Sequence, residues 1–171
     1  RLLDADSSVM LLTSLIVGIF SGVGAVLFRN LIDWLQNLAY QDISLLIQEY
    51  SPLHLILIPA IGGAFVGPLV YYFAREAKGH GVPEVMESLE LRGGRIRPRV
   101  VIVKSLASSI CIASGGSVGR EGPIAQIGSA LGSIVGQVLK LSEDRIRTLV
   151  ACGAAGGIAA TFNAPIAGAV F

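Results

Sequence analysis

Residues 100–139 read VVIVKSLASSICIA, then SGGSVGREGP, then IAQIGSALGSIVGQVL. The outer two segments are apolar and typical of helices, whereas the middle one is rich in glycine and carries the charges of Arg120 and Glu121. Non-helical backbone at membrane depth is tolerated only where it is buried in protein or lines a wet cavity. The stretch therefore predicts two membrane helices separated by a break, and it marks that break as a candidate functional site.

The composition excludes the soluble and disordered classes of protein. Of the 171 residues, 53% are hydrophobic and 15% are charged, whereas soluble domains are about a quarter charged. A net charge of +1 gives no electrostatic basis for binding nucleic acid. Cys111 and Cys152 lie singly in apolar stretches, where we expect small packing residues and not a disulfide. We predict an all-α, multi-pass integral membrane protein in the lipid bilayer of a plasma or inner membrane.

Further apolar spans lie on both sides of the break. Val9–Phe28 has no charge and is long enough for a hydrocarbon core of about 30 Å, and its amphipathic continuation to Leu38 predicts one long helix. Leu53–Phe73 is the second uncharged span. Ser142 with two following acids predicts a capped helix start, and Asn163-Ala-Pro165 predicts the end of that helix.

The basic residues are distributed unevenly between the connections. Residues 75–99 carry six Lys or Arg residues, whereas residues 37–52 carry none. The positive-inside rule places the basic connection in the cytoplasm.

Several glycine pairs have the GxxxG spacing that brings membrane helices close together. In a chain with 21 glycines such pairs also arise by chance, so both interpretations stay open for each pair. The pairs are Gly18/Gly22, Gly63/Gly67, Gly128/Gly132, Gly132/Gly136 and Gly153/Gly157.

In each of two breaks, a proline at the expected start of a helix follows a glycine, directly or after one residue. The breaks are Gly79–Pro83 and Gly119–Pro123. Proline in the first turn leaves free N–H groups and the positive end of a helix dipole facing the break. Helix N-termini of this kind bind anions, and transporters aim them at substrates near the bilayer midplane.

Glu121 is a carboxylate between two apolar segments, where a charge costs about 2.5 to 3.5 kcal/mol on insertion scales. One hypothesis is a structural ion pair with Arg120. The other, which we favour, is that the carboxylate occupies the anion site and leaves it on protonation, so that one residue gates the anion and carries a proton.

Other polar residues have weaker signals. Lys104 either adds positive potential to the anion site or snorkels, and His80 either donates to an anion or caps its loop. Glu84, Glu87 and Glu90 fall on one helix face that we expect to be solvated. We predict no metal site and no cofactor, because the two histidines have no carboxylate or thiolate cluster beside them.

Three motifs in this order resemble the CLC family of chloride channels and proton/chloride antiporters: GHGVP from Gly79, GREGP from Gly119 and FNAPIAG from Phe162. The resemblance implies an all-helical fold of two inverted repeats, assembled as a homodimer with a separate pore in each subunit. It also implies that residues 1–171 are one transmembrane fragment, the first repeat of such a pore domain.

The resemblance assigns roles residue by residue. Glu121 matches the family's gating glutamate, and Lys104 matches a family lysine that lends electrostatic support. Where chloride-selective members have serine this chain has His80, which leaves the preference for chloride over nitrate open. The anion-binding positions it implies are Gly79, His80, Gly81, Val82, Pro83, Gly119, Arg120, Gly122, Pro123 and Ile124.

The function expected from these motifs is transmembrane transport of chloride or a similar monovalent anion. The motifs leave open whether a gated channel or a proton-coupled antiporter performs it. The alternative is a non-conducting membrane scaffold or regulatory protein of the same fold. An enzyme is not expected, because the GxSxG match at Gly115–Gly119 follows a membrane helix and not the strand that a nucleophile elbow requires.

Overall fold

The computed structural model describes residues 2–42, 54–73 and 81–170, and all their regular elements are helical. This confirms the predicted all-α class. The helices are α1 (Leu2–Asn37, continued by a π-helical segment Leu38–Asp42), α2 (His54–Phe73), α3 (Val82–Leu91), α4 (Pro98–Ala113), α5 (Glu121–Val138), α6 (Glu143–Phe162) and α7 (Pro165–Val170).

In the described part of the chain, two helical spans are long and apolar enough to cross a membrane. They are Ser8–Tyr40, which contains an 18-residue window with a mean hydropathy of 2.3, and Ile56–Phe73, with 1.8. The prediction of one long first helix is confirmed, because α1 continues without a break well past Phe28. Part of the basic connection, residues 74–80, lies outside the described residues, so its cytoplasmic location stays a prediction.

The core forms where α1, α5 and α6 pack together. One apolar cluster joins Phe28 and Ile32 of α1 to Ile127 of α5. A second cluster joins Val85 of α3 to Val150 of α6. These two clusters hold the start of α5, and therefore the end of the glycine-rich break, against the rest of the chain.

Glycines make the contact between α5 and α6 unusually close. A Cβ on Gly128 would overlap the carbonyl of Gly153, and one on Gly132 would overlap the carbonyl of Leu149. Contacts that run up one helix and down the other show that the two are antiparallel. By contrast, a Cβ on Gly63 or Gly67 of α2 would meet nothing within 4 Å.

Helix α6 begins and ends where the sequence predicted, but its predicted N-terminal capping hydrogen bond is not formed. Ser142 is the N-cap residue with Glu143 in the first turn, yet its hydroxyl makes no capping hydrogen bond, so the predicted side-chain cap is wrong. The C-terminal break is confirmed: Asn163 is left-handed with φ of 51°, and the N–H of Ala164 donates to the carbonyl of Ala159 at 3.1 Å.

Candidate functional site

The two predicted helix starts lie against each other. Gly81 precedes α3 with φ of 89°, and its carbonyl accepts a hydrogen bond from the N–H of Val85 at 3.1 Å. A Cβ on Gly81 would overlap the carbonyl of Gly122, which lies in the first turn of α5. Because only hydrogen atoms fit between the two backbones, the N-terminal ends of α3 and α5 meet here. Their free N–H groups and positive dipole ends lie in the same region.

The other predicted anion-binding residues are placed unequally. Pro123 and Ile124 are buried, Val82 is half-buried and Pro83 is exposed. Gly79 and His80 lie outside the described residues, so their contribution stays a prediction.

Glu121 is the first residue of α5, and its side chain folds back over the loop. A Cβ on Gly119 would overlap a carboxylate oxygen of Glu121 and lie 3.0 Å from its Cδ. The side chain is exposed, and among the described residues it has no hydrogen-bond or ion-pair partner. A carboxylate at the positive end of a helix is stabilised by the same N–H groups and dipole that attract anions.

Arg120 does not pair with Glu121. Its side chain lines a small cavity of about 40 Å³ beside Arg29 of α1 and Thr161 of α6. The alternative hypothesis of a structural ion pair between the two neighbours is therefore not realised in this arrangement.

The glycine-rich loop is anchored by a residue that the sequence analysis did not single out. The hydroxyl of Tyr40 donates a hydrogen bond to the carbonyl of Ser114 at 3.1 Å. The next residue, Gly115, has φ of 95°, and a Cβ there would lie 2.7 Å from the Tyr40 hydroxyl. The N–H of Gly116 also donates to the carbonyl of Cys111 at 2.9 Å. These contacts fix where the loop leaves α4. A lone tyrosine past the end of an apolar span was the only sequence signal for them.

A polar cluster lies behind the helix starts. The amide of Gln126 on α5 donates a hydrogen bond to the carboxylate of Glu84 on α3. The charge of Glu84 also acts electrostatically on Lys104 of α4. Lys104 is only 6% exposed and Gln126 only 3%, so both polar side chains are enclosed by protein.

This cluster corrects the expectation of a solvated acidic face. Glu87 and Glu90 are exposed as predicted, whereas Glu84 is half-buried and bonded to Gln126. The physical reason is that a buried amide needs a hydrogen-bond partner, and Glu84 is the group that α3 presents to it. Gln126 inside a mostly apolar helix was the sequence signal that pointed to such a partner.

Metal ligation finds no support in the described part of the chain, where no three His, Cys, Asp or Glu side chains come together. Among the described residues, the site brings together two helix N-termini and the carboxylate of Glu121, and the buried Lys104 belongs to the polar cluster behind them. Such an arrangement suits binding of a small anion better than bond-breaking chemistry.

Known proteins are similar to this chain in sequence and in fold. The family model described as voltage gated chloride channel matches residues 62–171. The H⁺/Cl⁻ exchange transporter ClcA of Citrobacter koseri is 39% identical over 186 residues, which cover 100% of this chain and 37% of that transporter. ClcA of Vibrio vulnificus (strain YJ016) is also 39% identical, over 96% of this chain and 36% of that protein.

A solved structure agrees with these relatives. The crystal structure of a slow cyanobacterial Cl⁻/H⁺ antiporter matches with a TM-score of 0.79 and 28% sequence identity, over 93% of this chain and 38% of that one. The chain thus spans little more than a third of the length of the proteins it matches, which by name are transporters and not enzymes. Because the family model covers most of the chain and a 39% identical relative covers all of it, the chain belongs to the voltage gated chloride channel, or CLC, family.

Proposed function

We propose that the protein carries chloride or a similar small monovalent anion across a membrane, and that Glu121 gates the anion site. The observation that carries this proposal is the contact between Gly81 and Gly122, which brings the N-terminal ends of α3 and α5 together. A single helix N-terminus is common in proteins, whereas two that meet in a membrane protein concentrate positive potential where an anion must lose water.

The position of Glu121 supports its role as the gate. Its carboxylate lies over Gly119 at the start of α5, so it competes with an external anion for the same N–H groups and the same dipole. Protonation removes the charge, and with it the attraction to the helix end, so the side chain leaves and the anion enters. Protonation of Glu121 therefore does two things at once: it brings a proton to the site and it opens the site to the anion.

Coupling to protons is supported by the relatives, since two of them are named H⁺/Cl⁻ exchange transporters and the matched structure is a Cl⁻/H⁺ antiporter. We therefore favour antiport over a passive channel. The proposed setting is a homodimer in a plasma or inner membrane, with residues 1–171 forming half of each pore domain.

Flux from liposomes tests the proposal. The protein is reconstituted with a chloride gradient, and chloride efflux and external pH are recorded for the wild type, for Glu121→Gln and for the control Glu87→Gln. Glu87 is an exposed glutamate that pairs with Arg92 at 3.1 Å, away from the helix starts. Wild type and Glu87→Gln should move chloride and protons in opposite directions, whereas Glu121→Gln should move chloride alone.

Other outcomes separate the alternatives. Chloride flux without proton movement in the wild type would identify a channel. No flux of chloride or nitrate in any variant would leave only the non-conducting scaffold. Proton coupling in Glu121→Gln equal to that of the wild type would show that Glu121 is not the proton-linked gate.

A further inference from the structure

Three arginines from one short connection line an open recess between α3 and α4. Arg92, Arg95 and Arg97 surround about 390 Å³ of space together with Ile96, Pro98 and Gln137. None of these lining residues belongs to the helix starts that form the proposed anion site. Guanidinium groups bind phosphate oxygens through paired N–H donors, and groups of arginines are typical of phosphate recognition.

The recess is held in shape by a buried serine. The Ser133 hydroxyl, fully buried on α5, accepts a hydrogen bond from the N–H of Ile96 at 2.8 Å and donates one to the carbonyl of Gly94 at 2.6 Å. The Gln137 amide donates to the carbonyl of Ile96 at 3.1 Å and to Ser133 at 2.8 Å. The backbone that carries the arginines is therefore fixed to α5, so a ligand would not have to order it.

Carboxylates pair with Arg92 and Arg95, and Arg97 also takes part in an interaction. Arg92 pairs with Glu87 at 3.1 Å, and Arg95 pairs with Glu143 at 3.6 Å. All four side chains are more than half exposed, and ion pairs of this kind are weak because water screens them. A phosphate group can replace these carboxylates, since it offers several oxygens to more than one arginine at once.

The position of the recess favours a lipid as the source of the phosphate. Arg97 immediately precedes α4, whose apolar part Val101–Ala113 follows within one turn. The positive-inside rule puts this end of α4 at the cytoplasmic leaflet. Basic pockets at that depth bind the headgroups of anionic lipids.

We propose that the recess lined by Arg92, Arg95 and Arg97 binds a phosphate group, supplied by the headgroup of an anionic phospholipid. This inference does not depend on the proposed transport activity, because none of the three arginines belongs to the helix starts or to the gate.

Binding of a soluble short-chain phosphatidylglycerol to the purified protein in neutral detergent tests the proposal. We expect Arg95→Gln and Arg97→Gln each to raise its dissociation constant about fivefold, the loss typical of one basic residue near anionic lipid. The matched control is Arg99→Gln, which removes the same charge from an exposed position two residues further on that does not line the recess. That control should bind like the wild type.

Parallel titrations identify the source of the phosphate. Short-chain phosphatidylcholine should bind at least tenfold more weakly than phosphatidylglycerol, and inorganic phosphate should compete only at far higher concentration. Equal losses in Arg97→Gln and Arg99→Gln would show general attraction between charges and overturn the site. Inorganic phosphate that binds as tightly as the lipid would overturn the lipid assignment. A thermal unfolding midpoint equal to that of the wild type shows that each variant is folded.

Discussion

Glycines with the same spacing do opposite things in two parts of this chain. Gly128 and Gly132 on α5 let the backbone of α6 approach so closely that a methyl group on either would overlap a carbonyl. Gly63 and Gly67 on α2 have the same separation, yet nothing lies within 4 Å of where their Cβ atoms would be. GxxxG spacing therefore produces a smooth helix surface, and the partner helix decides whether that surface is used.

The difference follows from how the helices are connected. Only four residues separate α5 from α6, so the two helices must return alongside each other and bury their facing surfaces. On α2, large apolar side chains such as Phe65, 68% exposed, and Tyr72, 77% exposed, face away from the described chain. The tight region, where α5 contacts α6, is therefore packed by the chain itself. The open region, the glycine face of α2, has no packing partner among the described residues.

The largest expected effect is at the tight contact. Gly132→Val places a branched side chain against the carbonyl of Leu149, and we expect a loss of about 3 kcal/mol, at the upper end for overpacking. Gly67→Val is the matched control and should change stability by less than about 0.5 kcal/mol, as is usual for exposed positions. Thermal unfolding midpoints in detergent measure both. Similar losses in the two variants would remove the distinction between the regions.

A second effect concerns a glycine contact outside the GxxxG pairs. Gly81→Ala places a methyl group on a backbone with φ of 89° and against the carbonyl of Gly122, which we expect to cost about 2 kcal/mol. Gly93→Ala is the control for backbone strain, because Gly93 has φ of 58° but contacts the movable side chain of Glu143. Chloride flux should fall in Gly81→Ala and not in Gly93→Ala. Equal chloride flux in the two variants would show that transport does not require the contact between Gly81 and Gly122.

Ser133→Ala should have the next largest effect. It leaves the buried N–H of Ile96 without its acceptor and the carbonyl of Gly94 without its donor, and we expect a loss of about 1.5 kcal/mol. Ser117→Ala removes an exposed hydroxyl from the glycine-rich loop and serves as the control. The measurement is the thermal unfolding midpoint. Equal midpoints for Ser133→Ala and Ser117→Ala would show that the connection between α3 and α4, which carries the arginines, is not held by Ser133.

The sequence predicted local features well because their causes are local. Prolines one or two residues after a glycine, Pro123 and Pro83, indicated helix starts, and Asn163 two residues before a proline indicated a helix end. The contact between Gly81 and Gly122 was not predictable, because it depends on the way α3 folds back onto α5.

The environment of Glu84 was also not predictable from nearby residues. Its spacing with Glu87 and Glu90 indicated a solvated face, but a buried amide on a distant helix binds it. The role of Ser133 was missed for this reason too, since its two backbone partners lie more than 35 residues earlier in the chain. Periodicity gives the face on which a residue lies and not the partner that covers that face.

The smallest expected effect tests what lies beside the open region. Gly63→Ala adds a methyl group where there is space and improves helix propensity, so we expect a gain of about 0.5 kcal/mol. The measurement is the unfolding midpoint of the protein in detergent, compared with that of Gly153→Ala, which should fall because its methyl group would overlap the carbonyl of Gly128. A loss of more than about 1 kcal/mol in Gly63→Ala would mean that another part of the assembly packs on α2, since overpacking requires a neighbour. Both glycine surfaces would then serve the same purpose, one for a partner within this chain and the other for a partner outside it.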